Sequence, residues 1–380
     1  MQSSPSAARH AVFLVFLVLG LITGAWVPHI PLAKERLDVG AGVFGLALLS
    51  LAAGAVLSMP LAGVLINRFG SARLMAFIGV LLCVAFLGPI HAPDFWAFVA
   101  AGLVFGAAIG SLDVAMNAHG IAVEKAVKRP VMSSFHGAFS LGGMAGAFIG
   151  AYLLREAGEM AQSLIFAVGG LLLLSVSLPF LLPASADKGL SGSHFAWPTR
   201  ATLGLGLLGF LALMVEGSIL DWGAIFMRAK FLIEASTAAL AFGTYQGGMA
   251  VARFTGDWLR QKFGAVRLVT VSAVLAAAGT TAALVAPSPT LAILAFIFAG
   301  LGIGNIAPVL FAGGGRLEPS APGRGIAAVT TLGYAGFMAG PPLIGFTAEI
   351  GGLGVGLSLT VIACLIIAGF ARTVDAADTF

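Results

Sequence analysis

Gly63-Val64-Leu65-Ile66-Asn67-Arg68-Phe69-Gly70-Ser71-Ala72-Arg73 breaks two long apolar runs with a glycine turn and two basic residues. A shift of 194 residues finds it again. Arg68-Phe69-Gly70 falls on Lys262-Phe263-Gly264, and Arg73 falls on Arg267. Working outward, Gly106 and Gly110 fall on Gly300 and Gly304, and Gly142, Met144, Ala145 and Gly146 on Gly336, Met338, Ala339 and Gly340. Chance identities are common in a chain rich in Gly, Ala and Leu, but matched charges and glycines at the interruptions are far less so. The chain therefore reads as two homologous halves, 1–183 and 201–380, joined by a polar linker at 184–200 that holds Asp187, Lys188 and Gly189.

The runs between these interruptions are lipid-soluble. Of 380 residues, 59% are hydrophobic and 9% charged, against about 25% charged in soluble domains. A globule so poor in charge has too little polar surface for water. The 52 glycines suit close helix approach in a bilayer. Cys83 and Cys364 both lie inside apolar runs and read as core filling. The net charge of +4 comes from basic residues in short loops, which orient spans and do not indicate nucleic-acid binding.

A span takes roughly 20 mostly apolar residues. The runs predict twelve, at 11–31, 40–66, 73–90, 95–118, 132–154, 161–182, 201–226, 236–259, 267–286, 290–312, 325–346 and 353–371. The first is read as a span and not as a cleaved export signal. With both termini in the cytoplasm, only Lys34, Arg36, Arg155, Arg228 and Lys230 of the 20 Lys and Arg face outward. That bias predicts a multi-pass membrane protein with both termini in the cytoplasm. The fold class expected is all-α, with two pseudo-symmetric six-helix bundles.

The opening stretch resembles the loop signature of the major facilitator superfamily: a glycine, an acid–Arg pair, then a glycine and a basic residue. Gly63, Asn67, Arg68, Gly70 and Arg73 carry it in the first half. Arg253, Gly256, Asp257, Lys262 and Gly264 carry the second copy. Both depart from the pattern, with an amide, Asn67 or Gln261, at the usual acidic position. Arg253 and Asp257 are four apart, a spacing that permits pairing on one helix face. Gly110-Ser111-Leu112-Asp113-Val114-Ala115-Met116-Asn117, Ser133-Ser134-Phe135-His136-Gly137-Ala138-Phe139-Ser140, and Glu216-Gly217-Ser218 with Asp221-Trp222 narrow the likeness. Together they resemble the bacterial branch near the fucose-permease-like carriers and the rhizopine-locus membrane protein, which implies a bacterial inner membrane as the location.

The resemblance implies the major facilitator fold, a cavity lined by spans 1, 2, 4, 5, 7, 8, 10 and 11, and proton symport of sugars with acids on spans 1 and 4. Here span 4 holds Asp113, while span 1 has no acid. The basic residue that antiporters of the superfamily often place in span 4 is missing.

Ionisable groups inside lipid are costly and normally face a water-filled path. Spans 3, 6, 9 and 12 contain no internal Asp, Glu, His, Lys or Arg. Asp113 and Asn117 share a helix face, and His136 stands at similar depth in span 5, so a carboxylate and an imidazole could hold a proton or a solute hydroxyl. The alternative is a structural polar pair. Glu216, deeper in span 7, suits a proton carrier, or else a packing acid bonded to a hydroxyl. Asp221 and Trp222 read as a solvated acid beside an interfacial aromatic. Trp26 serves equally as a sugar-stacking platform or an interface tryptophan. Tyr245, Gln246 and Asn305 are polar groups on cavity-lining spans. The GxxxG-like glycines read as packing devices.

No Walker-type nucleotide loop, Ser-His-acid set or metal-ligand spacing occurs, so no cofactor, metal or enzymatic activity is expected. The expected function is a secondary transporter working by alternating access, coupled to protons and carrying a sugar, polyol or related small polar solute. Its partners would be the solute, protons and the bilayer, with no nucleic acid, and the chain would act as a monomer. A drug or metabolite efflux pump would want a wider, more apolar cavity. A non-transporting sensor or scaffold would normally need a larger soluble appendage.

Overall fold

The computed structural model describes residues 4–187 and 196–378. In hydrocarbon each backbone polar group must be satisfied within its own segment, so apolar runs of this length become helices. The described residues are helical and contain no strand. Eight helical stretches are long and apolar enough to cross a membrane, and the one at Met132–Phe180 carries two spans broken at Gly158. Helices Ala235–Phe263, Pro322–Gly351 and Leu353–Gly369 complete the twelve.

We number the spans α1 (Pro5–Trp26), α2 (Ala41–Phe69), α3 (Ser71–His91), α4 (Phe95–Val127), α5 and α6 (132–157 and 159–177), α7 (Leu203–Phe231), α8 (Ala235–Phe263), α9 (Ala265–Val285), α10 (Pro289–Leu317), α11 (Pro322–Gly351) and α12 (Leu353–Gly369). Several run past the apolar limits expected from sequence. α4 continues nine residues beyond 118 and takes in Glu124 and Lys125, because good helix formers extend the rod once it has left the lipid.

Two compact units divide the chain: Met1–Asp38 with Ser50–Ser191, and Val39–Leu49 with Gly192–Phe380. The first turns of α2 thus count with the second unit. There Phe44 meets Trp222 edge-on at 6.2 Å, and the Gly42 N–H donates to Glu349 at 2.9 Å. Most of the expected linker, residues 188–195, lies outside the described residues.

The internal repeat is visible in backbone geometry at the same shift of 194. Gly70 (φ 86°) and Gly264 (φ 79°) make the α2–α3 and α8–α9 turns, in a region that favours glycine. Gly158 and Gly352 (φ 82° and 83°) break α5–α6 and α11–α12. Asp38 and Leu232 are both left-handed at helix ends. Asp94 and Ser288 both cap the next helix through a side-chain oxygen. Packing repeats too. A Cβ on Gly54 would lie 2.1 Å from the Leu103 carbonyl oxygen, and one on Gly248 would lie 2.1 Å from that of Ile297.

The chain end closes on the second copy of the loop signature. The Arg260 guanidinium bonds the Ala377 carbonyl and lies 3.6 Å from Asp378, whose carboxylate also accepts the Ala265 N–H at the start of α9. An anion at a helix N-terminus satisfies an orphan donor and the helix dipole. Asp378→Ala is expected to cost about 1 kcal/mol, read as a lower Tm in detergent. An unchanged Tm would mean the cap contributes nothing.

Candidate functional site

In the second unit, the side chains expected from sequence gather where α7, α8 and α10 pack. Glu216 is the fourteenth residue of 29 in α7, so it sits near the middle of that rod. Its Oε1 lies 3.3 Å from Nη2 of Arg253, with side-chain exposures of 21% and 9% respectively. Arg253 is ten residues before the end of α8 at Phe263, about 15 Å up the helix. Sequence spacing assigned it to the cytoplasmic loop signature and offered Asp257 as its partner. The structure seats it inside the unit against a carboxylate 37 positions away, a contact that i,i+4 reasoning along one helix does not reach. The guanidinium supplies the countercharge at Glu216, the residue expected to carry a proton.

Gln246 stands seven residues before Arg253, on the same face of α8. Tyr245 lies within electrostatic reach of Glu216, Arg253 and Cys364. Both are buried, and Tyr245 Oη and Gln246 Oε1 have no hydrogen-bond partner among the described residues. Asn305 is buried at the break between Ile303 and Ile306 in α10. A Cβ on Gly256 would come 2.2 Å from its Oδ1. Gly256 and Gly63 therefore lie in helix interiors, buried or half-buried, while Gly70 and Gly264 make the turns. Asp221 and Trp222, expected near the outer interface, are 7% and 0% exposed. α7 runs ten residues past Asp221, so its outer end is higher than hydropathy placed it.

In the first unit, Asn117 Nδ2 donates to the Asp113 carbonyl at 2.9 Å and to its Oδ1 at 3.0 Å, across the helix face that their spacing makes them share. Half-buried His136 presents its ring edge-on to Phe16 at 5.4 Å. Trp26 is 2% exposed and packs against Phe98 and Phe105, both at 6.2 Å between ring centroids. In the loop signatures Asn67, Arg68, Arg73, Asp257 and Lys262 are exposed. Arg68 lies over Phe69 at 5.1 Å and Lys262 over Trp258 at 5.0 Å, contacts that hold basic heads at a helix end.

Sequence reading missed two buried polar joints. His119 Nε2 accepts the Leu182 N–H at 3.0 Å, so Nδ1 carries the proton and donates to Ser71 Oγ at 2.6 Å. That ties α4 to the start of α3 and the end of the first bundle. His29 Nε2 donates to Gln162 Oε1 at 2.7 Å, and Gln162 Nε2 donates to the Ala25 carbonyl at 3.0 Å. Arg36 and His29 both approach Glu159, at 3.1 and 3.4 Å. Single neutral residues 48 or 133 positions from their partners leave no periodic trace in a sequence.

Residues 11–215 match the family model described as Major Facilitator Superfamily. An uncharacterised MFS-type transporter of Yersinia pestis is 34% identical, over 95% of this chain and 94% of its own. Membrane protein MosC of Rhizobium meliloti is 30% identical, over 94% and 88%. Among solved structures, the nucleoside transporter NupG superposes with a TM-score of 0.73 at 14% identity, covering 98% of this chain and 99% of that one. The E. coli fucose:proton symporter FucP superposes with 0.65 at 16%, covering 97% and 98%.

Proposed function

We propose, from the premise that this chain belongs to the Major Facilitator Superfamily, that it is a secondary transporter of a small polar solute, coupled to protons and working by alternating access across a bacterial inner membrane with both termini in the cytoplasm. The carrying observation is the Glu216–Arg253 pair amid unsatisfied polar atoms. Tyr245 Oη and Gln246 Oε1 are buried without partners. A buried polar atom left unmet costs about 1–3 kcal/mol, and a solute bearing hydroxyl or amide groups removes that cost on binding. This supports a sugar, polyol or nucleoside-like solute over an amphipathic drug, which would leave these atoms unmet. Asp113, Asn117 and His136 are the first unit's contribution to the same reading. The likeness in fold to a nucleoside transporter and a fucose:proton symporter agrees with that solute range.

The test is a thermal-stability screen of the purified protein against sugars, polyols, nucleosides and cationic drugs. A ligand at 100 times its Kd adds about 2.7 kcal/mol of apparent stability. The expected hit is a polyhydroxyl solute, which then drives alkalinisation or acidification across proteoliposomes loaded with a pH dye. Stabilisation by drugs alone would overturn the reading in favour of efflux.

A further inference from the structure

Asp221 is a buried carboxyl to which the solute site assigns no role. Among the described residues it has neither a hydrogen bond nor an ion pair, and it is 7% exposed. Two other intramembrane acids are provided for: Glu216 by Arg253 and Asp113 by Asn117. Asp221 stands five residues beyond Glu216 on α7, about 7.5 Å along the axis. Its face of α7 is the one turned to α11. Gly217, one turn before it, meets Phe337. Ser218 and Trp222, on the flank of that face, approach Gly340 and Gly345. The titratable groups on the surrounding helices are Glu216, Arg228 and Lys230 on α7, Tyr245, Arg253, Asp257, Arg260 and Lys262 on α8, Arg316 on α10, Arg324, Tyr334 and Glu349 on α11 and Cys364 on α12, and among the described residues none forms an ion pair or hydrogen bond with Asp221.

An ionised carboxylate buried without a cation costs several kcal/mol or more, and neutralisation is the usual outcome. A sodium ion would need several oxygen ligands. The polar side-chain atoms of this stretch that lack a partner are Ser218 Oγ and the Trp222 indole N–H, one hydroxyl and one donor. We infer that Asp221 is the proton-binding carboxyl of the transport cycle, distinct from the Glu216–Arg253 pair that meets the solute. The inference rests on the proton-coupled reading above and gives it a location. A neutral Asp221 lets α7 lie against α11. Loss of the proton leaves a bare charge there, which the helix accommodates only by moving that face to water. The proton thereby biases one conformation over another.

The direct experiment needs no solute. Infrared difference spectra of the reconstituted protein, titrated in pH, are recorded in the C=O stretch region of protonated carboxyls. The expected result is a protonated-carboxyl band in the wild type at neutral pH that is lost in Asp221→Asn and kept in Glu216→Gln. Asp221→Glu, the second variant should the amide fail to fold, moves the band without removing it. A band untouched by both Asp221 substitutions would overturn the assignment, as would one abolished by sodium at fixed pH. With any solute that the wild type carries, Asp221→Asn should retain solute exchange and lose accumulation driven by a pH gradient by at least tenfold. Full gradient-driven uptake by Asp221→Asn would equally reject it. If the wild type carries no solute while the band behaves as expected, the transport reading fails and the proton site stands.

Discussion

Glu216→Gln is expected to destabilise the protein by about 2–4 kcal/mol and to abolish solute binding. Removing one partner of a buried ion pair leaves the other charge uncompensated, at about 3–5 kcal/mol for a fully buried pair. The 21% exposure of Glu216 lowers that figure through solvent screening. Arg253, 9% exposed, loses this carboxylate in the variant. The double variant Glu216→Gln with Arg253→Met leaves no stranded charge, so it should regain most of the lost stability. It should remain unable to bind, because the groups that orient the solute are gone. Unfolding midpoints for the two single variants and the double variant decide this. Additive losses in the double variant would show that the 3.3 Å contact carries little coupling. Solute binding that survives Glu216→Gln would remove the pair from the site.

Gly300→Val is the second substitution with a large expected effect. A Cβ at this position would lie 1.8 Å from the Tyr245 carbonyl oxygen, and the same shell contains the Tyr245 carbonyl carbon and Cα. These are backbone atoms of α8 and cannot rotate away. Helices in lipid associate by close van der Waals contact, with no hydrophobic drive between them, so an opened α8–α10 contact is not recovered elsewhere. Overpacking in a core costs about 1–3 kcal/mol, occasionally more. Here the whole helix must move, and Tyr245 and Gln246 move with it. The expected outcome is little or no monodisperse protein on size exclusion, with loss of binding in whatever survives. Its repeat mate, Gly106→Val, meets the Leu51 carbonyl at 1.9 Å and should fail to fold as badly while touching none of the second unit's polar groups. Normal yield of Gly300→Val would mean that α8 and α10 separate cheaply.

The fold repeats and the chemistry does not. Shifting Glu216, Asp221 and Arg253 back by 194 lands on Ile22, Val27 and Met59, and shifting Asp113 and His136 forward lands on Ala307 and Thr330. Turn glycines, caps and glycine–carbonyl contacts obey the shift because they maintain a backbone common to both halves. The ionisable side chains are additions to that backbone, and each unit carries its own set.

By itself the sequence determined the medium, the helix count, the repeat and the family. Each of these follows from composition, from the length of apolar runs or from spacings along one chain, all of which are local or periodic quantities. It also placed Asp113 and Asn117 on one helix face, because i,i+4 geometry is a property of a single helix. Only the tertiary structure decided that Arg253 meets Glu216, that Gly256 is a seat for Asn305 and not a turn, and that Trp26 lies among phenylalanines. It likewise decided that Asp221 is buried without a partner. Those outcomes depend on which faces of separate helices meet, and hydropathy measures how apolar a rod is without saying which way its side chains turn.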